Sequence, residues 1–348
     1  MTPASKQRDY LFDNYKVLLI VLVVVGHFID LNYKNNTFLY ILKWLIVSFH
    51  MPAFIFISGY FSKKELPLAV LIRKLAVPYI AYEIIYYLFY MLILGKETKL
   101  YLLYPKFSLW YLLALFVFRV ITPYVKKLPH HMWLAVGAGL LIGCSGMPDN
   151  LLSLPRILVF YPYFLAGTYF RRDMLNRVLG MRFRIPAAAC VVTFTGYLAL
   201  GTGYRSLSPK IFYGRYNYDY LGQTPLEGIL CRLVCYAVGF AMTFAVMLLV
   251  SRQKTFYSYI GTRTMAIYLF HGLTYSWLKE CTYILERVDT GAQTCLLLAS
   301  GAALAGLFSI PQLTAFTNKL AGLHLPDLRG HLQNSPWSVV YFGQFGVR

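Results

Sequence analysis

Charged residues are scarce in this chain. They make up 14% of its 348 residues, whereas hydrophobic residues make up 58%. Soluble domains carry roughly 25% charged residues, so this chain has too few to cover a surface that faces water. The same composition excludes intrinsic disorder, which requires low hydrophobicity. We therefore predict an integral membrane protein, and the 30 tyrosines agree with this, because tyrosine favours the membrane–water interface.

The signatures of common soluble enzymes and of metal sites are also absent from the sequence. The six cysteines form no C-x-x-C pair and lie in or beside apolar runs, which argues against a disulfide framework and a zinc site. The histidines show no metal-ligand spacing, and there is no G-x-S-x-G, P-loop or G-x-G-x-x-G motif. The first apolar run has no small-residue cleavage site after it, so we interpret it as a retained membrane span.

Ten apolar segments are predicted to cross the membrane, where a helix needs roughly 20 mostly apolar residues. They lie at about 14–32, 39–61, 75–94, 108–125, 131–147, 156–170, 185–202, 227–250, 264–284 and 293–312. There is no internal repeat. The sequence therefore predicts one all-α polytopic membrane domain over residues 1–320, followed by an unassigned tail over residues 321–348.

The basic residues predict how the chain is oriented. The net charge is +19, from 33 Lys and Arg against 14 Asp and Glu. In a soluble protein this would suggest nucleic acid, but here we attribute it to basic loops that face anionic lipid. Alternating the connections between two sides places 19 of the 33 with the N-terminus and 10 opposite, leaving Lys16, Lys43, Arg119 and Arg232 inside spans. This bias predicts an inner (plasma) membrane protein with both termini cytoplasmic and the 203–226 connection outside.

Ionisable residues inside spans are costly, at roughly 2.5–3.5 kcal/mol on insertion scales, and usually face a cavity. Lys16 and His27 are eleven residues apart, so they share one helix face about 16 Å apart. Lys16 has an alternative interpretation as a snorkelling anchor, and His27 as a packing histidine. The other such residues in or beside spans are His50, Glu83, Arg119, Arg156, Arg232 and His271. The set suits two classes of protein, a transporter of anions or protons and a membrane-embedded transferase that uses His as general base.

Two local motifs stand in the first two predicted spans. The stretch from Arg8 to Lys16, running into Gly26-His27, has a basic residue, ten intervening residues and a histidine, and the second motif is Phe49-His50-Met51-Pro52-Ala53-Phe54. They resemble the first-helix and second-helix motifs of the acyltransferase-3 membrane family, with the branch named for fucose 4-O-acetylase as the most similar. Weaker similarities are Arg73-Lys74 before Pro78-Tyr79, Leu109-Trp110-Tyr111-Leu112, Arg156 before Phe160, and Tyr268-Leu269-Phe270-His271-Gly272. The resemblance covers about residues 8–320, although many members carry Arg at the position of Lys16.

The resemblance implies transfer of an acyl group, usually acetyl, from cytoplasmic acyl-CoA to a hydroxyl of a cell-envelope carbohydrate or lipid-linked glycan. We therefore expect acetyl-CoA as co-substrate, a surrounding of membrane lipid, and neither a metal nor a nucleic-acid partner. The expected catalytic residues are His27 and Glu83, the latter as the carboxylate that orients the imidazole. The expected ligands of CoA are Lys16, Arg73, Lys74 and Arg119, and those of the acceptor are His50, Trp110, Arg156 and His271. The alternative is a transporter or flippase of lipid-linked sugars or anions, which would use the same polar cavity without covalent chemistry.

Overall fold

The computed structural model describes residues 10–147, 151–171, 173, 174, 177 and 181–321, and these residues form helices and no strands. The predicted all-α class is confirmed for this part of the chain. Arg8, at the start of the first motif, and the tail beyond residue 321 lie outside the described residues. The helices are α1 Tyr10–Phe28, α2 Thr37–Tyr60, α3 Leu68–Leu71, a π-helical turn Ile72–Ala76, α4 Val77–Leu92, α5 Trp110–Val125, α6 His131–Leu141, α7 Leu154–Tyr169, α8 Met181–Leu200, α9 Pro225–Leu249, α10 Thr264–Cys281, α11 Gly291–Leu307 and α12 Pro311–Ala321.

Each of the ten predicted spans contains a helix, but the helices differ in length. Five helices in the described part are long and apolar enough to cross a membrane alone. The pair α11 and α12, bent by 64° at a short break, would make a sixth span if it counts as one. The other four predicted spans contain α4, α5, α6 and α10, which are shorter or less apolar. The count of ten spans therefore stays a prediction.

Side-chain caps explain where several of the helices begin. The Asn36 side chain accepts a hydrogen bond from the Leu39 backbone N–H, which starts α2. Thr224 and Glu227 form a capping box at the start of α9, and Thr290 forms one with Gln293 at the start of α11. Such caps satisfy backbone N–H groups that have no partner within the helix.

Helix α2 packs against α1, α7, α8 and α9. Its contact with α7 depends on two glycines that let the backbones approach closely. A Cβ on Gly59 would overlap the Phe164 carbonyl oxygen, and one on Gly167 would overlap the Phe56 carbonyl oxygen. Small residues at such positions are typical of helix packing in membranes. This contact places α2, with His50, beside α7, with Arg156.

Helix α1 is held at both ends. At its first turns, the Asn14 side chain donates to two carbonyl oxygens and accepts from two hydroxyl groups, all in the 251–258 connection, over 2.6–3.0 Å. Beyond its other end, the Asn32 side chain donates to the Leu285 carbonyl oxygen. The middle of α1 packs against α11, where Gly301 lies beside Val25. These contacts fix the helix that carries both Lys16 and His27.

Arg232 has a structural role at the 203–226 connection. Its side chain is buried in α9 and donates to the Gly139 carbonyl oxygen over 3.0 Å and to the Tyr216 carbonyl oxygen over 3.1 Å. Its guanidinium also lies over the Tyr218 ring. Arg232 therefore joins α6 and α9 to the 203–226 connection, and the cost of burying its charge is offset by these hydrogen bonds.

Candidate active site

A cavity of about 400 Å³ lies among α1, α2, α5, α7 and α10. This is within the range of roughly 300–1,000 Å³ found for small-molecule sites. Its wall is mostly apolar and also includes a turn at Phe107–Ser108 and, at Phe212–Tyr213, the end of the short 3₁₀-helix Pro209–Tyr213. The predicted site residues that line it are Lys16, His27, His50, Trp110, Arg119 and Arg156. The structure thus brings together residues that are up to 140 positions apart in sequence.

His27 lies next to a carboxylate in the turn that follows α1. The Nδ1 atom of His27 is 3.3 Å from Oδ2 of Asp30. The ammonium group of Lys43, in α2, donates to the other oxygen of Asp30 and, over 2.8 Å, to the Gly26 carbonyl oxygen. When Nδ1–H donates to the carboxylate, the tautomer is set and Nε2 is left to accept a proton. His27 and Asp30 are arranged like the base and the orienting acid of a catalytic triad, and Lys43 holds the acid in place.

The charges around Asp30 keep its carboxyl group ionised. Burial raises the pKa of the Asp30 carboxyl, but the nearby Lys43 ammonium and the His27 side chain lower it, and the net effect places the pKa below its ordinary value. Asp30 and Lys43 both line the cavity. The cavity therefore holds an ion pair between a half-buried carboxylate and a buried ammonium directly beside the imidazole.

Aromatic rings surround the imidazole of His27. The ring centroid of Phe107 is 4.6 Å from that of His27, and those of His271 and Tyr275 are at 5.5 Å and 5.7 Å. His271 is fully buried in α10, and its Nδ1 is 3.0 Å from the Ile267 carbonyl oxygen. His271 is therefore placed beside His27, and the residues that line the cavity do not include it.

His50 lines the cavity from α2. Its Nδ1 is 2.7 Å from the Ile46 carbonyl oxygen, one turn earlier in the same helix. A ring nitrogen that donates to this carbonyl leaves Nε2 as the acceptor of a hydrogen bond from a ligand. His27 and His50 thus belong to one cavity, as their predicted roles require.

Basic side chains mark the end of the cavity that lies farthest from His27 along α1. Lys16 forms an ion pair with Asp13 over 3.1 Å, and Arg119 donates to the Lys64 carbonyl oxygen over 3.0 Å. Arg73 and Lys74 are exposed in the π-helical turn and do not line the cavity, although Leu75 of the same turn does. Of the four predicted ligands of CoA, the structure brings two into the cavity wall and leaves two on a neighbouring exposed turn.

Trp110 and Arg156 form another part of the wall. The guanidinium of Arg156 lies over the Trp110 ring at 5.0 Å, and the Phe160 ring stacks on the same indole at 5.6 Å. Across the cavity, Phe212 and Tyr213 reach in from the 203–226 connection, and the ammonium of Lys43 lies 5.6 Å from the centre of the Tyr213 ring. Flat aromatic surfaces with a few polar groups are typical of sites that bind small organic molecules.

Glu83 lies elsewhere. It is fully buried in α4, its Oε1 accepts a hydrogen bond from the Lys106 backbone N–H over 2.7 Å, and its Oε2 is 3.7 Å from the Lys106 ammonium. It does not line the cavity. The carboxylate beside His27 is Asp30. The sequence-based expectation that Glu83 orients His27 is therefore corrected: Glu83 contacts Lys106 instead.

Sequence reasoning missed Asp30 and Lys43 as members of the site. A signal for Asp30 was present, because it follows His27 by three residues, a spacing at which side chains of a helical turn can contact each other. Lys43 stood out as a charge within a predicted span, but no motif contained it. Among the residues that the structure describes, no three His, Cys, Asp or Glu side chains are grouped as metal ligands.

Comparison with known proteins favours the transferase over the transporter. The profile of an acyltransferase domain, Acyl_transf_3, matches residues 9–310. The chain belongs to the acyltransferase-3 family. It is also similar to the nodulation protein NolL of Sinorhizobium fredii, with 27% identity over 218 residues, which are 54% of this chain and 57% of NolL. The chain thus spans little more than half the length of that relative, and no solved structure shows a significant match.

Membership in the acyltransferase-3 family agrees with the resemblance of the first two motifs. It supports a membrane acyltransferase, and it makes the cavity with His27 the candidate site of acyl transfer.

Proposed function

We propose that this acyltransferase-3 protein moves an acetyl or related acyl group from cytoplasmic acyl-CoA to a hydroxyl of a cell-envelope carbohydrate or lipid-linked glycan. Family membership supports the acyl transfer. The observation that carries the rest is the position of His27, with its carboxylate Asp30, in a cavity that also contains Lys16. In one cavity, His27 can thus act as base on the acceptor hydroxyl, and Lys16, three helical turns away, can bind the phosphates of the donor.

The donor enters from the cytoplasmic side in this proposal. The phosphates of CoA are polyanionic and stay at the mouth, near Lys16 and Arg119, with Arg73 and Lys74 on the exposed turn nearby. The uncharged pantetheine arm then follows the face of α1 for about 16 Å to His27. The apolar wall of the cavity suits this arm, because no charged group has to leave the mouth.

The transfer step uses the free nitrogen of His27. Nε2 takes the proton of the acceptor hydroxyl while the hydroxyl oxygen attacks the thioester carbonyl carbon. The carbon–sulfur bond then breaks, and the imidazolium returns the proton to the sulfur of CoA. Asp30 keeps Nδ1–H bound and stabilises the imidazolium. The products are the O-acyl acceptor and the free thiol of CoA.

The acceptor occupies the part of the cavity formed by Trp110, Arg156, His50 and the Phe212–Tyr213 segment. Trp110 and Tyr213 offer flat surfaces, and Nε2 of His50 offers a hydrogen-bond acceptor for a second hydroxyl. His271 supports His27 from behind instead of contacting the acceptor. This division assigns the acceptor side to the residues near the predicted outer connection.

The test uses purified protein in lipid nanodiscs with labelled acetyl-CoA and a panel of octyl glycosides as acceptor probes. We expect release of CoA thiol together with an acetylated glycoside. His27→Ala should lower the transfer rate by about 10²–10⁴, the range for a lost general base, and leave the Kd for acetyl-CoA nearly unchanged. His130→Ala, at an exposed histidine outside the cavity, is the matched control.

Two results would contradict the proposal. One is near wild-type turnover in His27→Ala while His50→Ala or His271→Ala is inactive, which would place the reaction on another helix. The other is movement of a glycolipid across the membrane with no release of CoA, which would favour the transporter.

A further inference from the structure

Glu83 is a buried carboxylate that the proposed reaction does not use. Its oxygens contact the backbone N–H and the ammonium of Lys106. Burying an ionised carboxylate costs several kcal/mol unless it is paired and hydrogen-bonded. A group of this kind in a helix that faces a non-helical connection acts as an anchor for that connection.

The anchored segment holds a strained residue. Phe107, the residue after Lys106, has φ of 46°, a left-handed conformation that bulky side chains rarely adopt. Such strain persists only where the surroundings impose it. Here Glu83 holds the residue before Phe107, and the Tyr268 hydroxyl donates to the carbonyl oxygen of the residue after it, Ser108.

The ring of Phe107 fits a notch in α10. A Cβ on Gly272 would lie 2.6 Å from Cδ1 of Phe107, so only glycine leaves room for the ring at this position. The ring packs against Tyr275 at 5.3 Å and against His271 at 5.7 Å between centroids. Its closest aromatic neighbour is the imidazole of His27, at 4.6 Å. The left-handed backbone at Phe107 thus places an apolar ring beside the imidazole of His27, the proposed base.

We propose that Glu83 is a positioning residue that anchors Lys106 and thereby holds the Phe107 ring against His27, so that the ring covers one side of the imidazole and limits its contact with water during acyl transfer. The inference rests on the proposed function. In a transferase, water activated by the same base would attack the thioester in place of the hydroxyl, and the products would be acetate and the thiol of CoA. Shielding His27 therefore favours transfer over hydrolysis.

The first test measures access to His27 and does not depend on activity. Diethyl pyrocarbonate modifies unprotonated imidazoles, and peptide mass spectrometry gives its rate at His27 relative to the exposed His130. We expect Glu83→Gln and Phe107→Asn to raise this relative rate several-fold. Asn tolerates positive φ, so Phe107→Asn removes the ring and keeps the backbone conformation. Phe107→Tyr, which keeps a ring, should shield His27 nearly as well as Phe107 does.

The second test separates positioning from general damage to the fold. With acetyl-CoA and octyl glycosides, Glu83→Gln and Phe107→Asn should lower kcat for transfer by about tenfold, in keeping with the sensitivity of rates to small misplacements. The Kd for acetyl-CoA should stay within twofold of the wild type, and the ratio of acetate to acetylated glycoside should rise. Glu97→Gln, an exposed carboxylate in the same connection, is the control and should match the wild type.

Unchanged labelling of His27 together with an unchanged ratio of hydrolysis to transfer, in folded variants, would overturn the inference. If Glu83→Gln does not fold, the pair Phe107→Asn and Phe107→Tyr decides the matter. A wild-type protein that neither binds acetyl-CoA nor releases CoA would contradict the proposed function instead, and the labelling of His27 would still report on the shield.

Discussion

Replacing Asp30 by Asn should damage stability and catalysis by separate routes. The Asp30 side chain is 27% exposed, whereas the ammonium-bearing side chain of Lys43 is only 4% exposed. Asp30→Asn therefore leaves a buried cation without its counter-charge. Breaking a buried ion pair costs about 3–5 kcal/mol, and we expect the lower end because solvent reaches one partner.

The effect on catalysis should be larger than the effect on stability. Without the carboxylate, Nδ1 of His27 has no anion to fix its tautomer or to stabilise the imidazolium. An equivalent change in a catalytic triad lowers kcat by about 10⁴, and we expect a loss of transfer of at least 10² at unchanged Kd for acetyl-CoA.

A double variant separates the two routes. Lys43→Met alone should destabilise the protein, because it leaves the carboxylate of Asp30 without its cation. Asp30→Asn combined with Lys43→Met removes both charges, so thermal unfolding in nanodiscs should return towards the wild-type Tm. Transfer should stay low in the double variant, because His27 still lacks its orienting carboxylate.

The dependence of stability on pH gives an independent check. Because the pKa of Asp30 in the folded protein lies below its unfolded value of about 3.9, its ionisation stabilises the fold above that pH, and the contribution is lost as pH falls through the folded pKa. The wild-type Tm should therefore lose this contribution only below about pH 4, and Asp30→Asn should lack that part of the fall. Wild-type transfer, Tm and acid profile in Asp30→Asn would refute the reasoning.

Three further predictions concern the mouth, the helix packing and the topology. Lys16→Ala should weaken binding of acetyl-CoA, and added salt should weaken it in the wild type, which calorimetry can measure; unchanged affinity would remove Lys16 from the site. Gly59→Ala should lower the Tm markedly because its Cβ would overlap the Phe164 carbonyl, whereas Gly137→Ala, which meets no neighbouring atoms, should not. Reporter fusions should place the 203–226 connection outside, and a cytoplasmic signal there would reverse the proposed donor path.

The placement of Lys16 and His27 on one face of α1 could be predicted, because helical geometry alone determines it. Eleven residues of regular helix place both side chains on one face, whatever packs against that face. The structure gives α1 from Tyr10 to Phe28 without interruption, and both residues line one cavity. Helical periodicity was therefore sufficient to predict the relative placement of these two residues.

The carboxylate partner of His27 could not be assigned with the same rule. The predicted first span extends to residue 32, whereas α1 ends at Phe28 and a turn brings Asp30 back towards His27. Glu83 is an ionisable residue within a predicted span, but its partner, Lys106, lies 23 residues away in a connection without regular structure. Side-chain directions in turns and contacts across connections depend on tertiary packing, which periodicity does not report.

The anchoring of α1 through Asn14 at one end and Asn32 at the other has a consequence for the range of donors. Because α1 is fixed at both ends, the distance along it between Lys16 and His27 stays constant. Under the proposed function, the distance from the phosphates to the thioester would have to match this separation. All acyl-CoA donors share that distance, because it is set by the CoA part that they have in common. Differences among acyl chains would then be accommodated only beyond His27, so selectivity for chain length would be a property of the space between Trp110 and Tyr213.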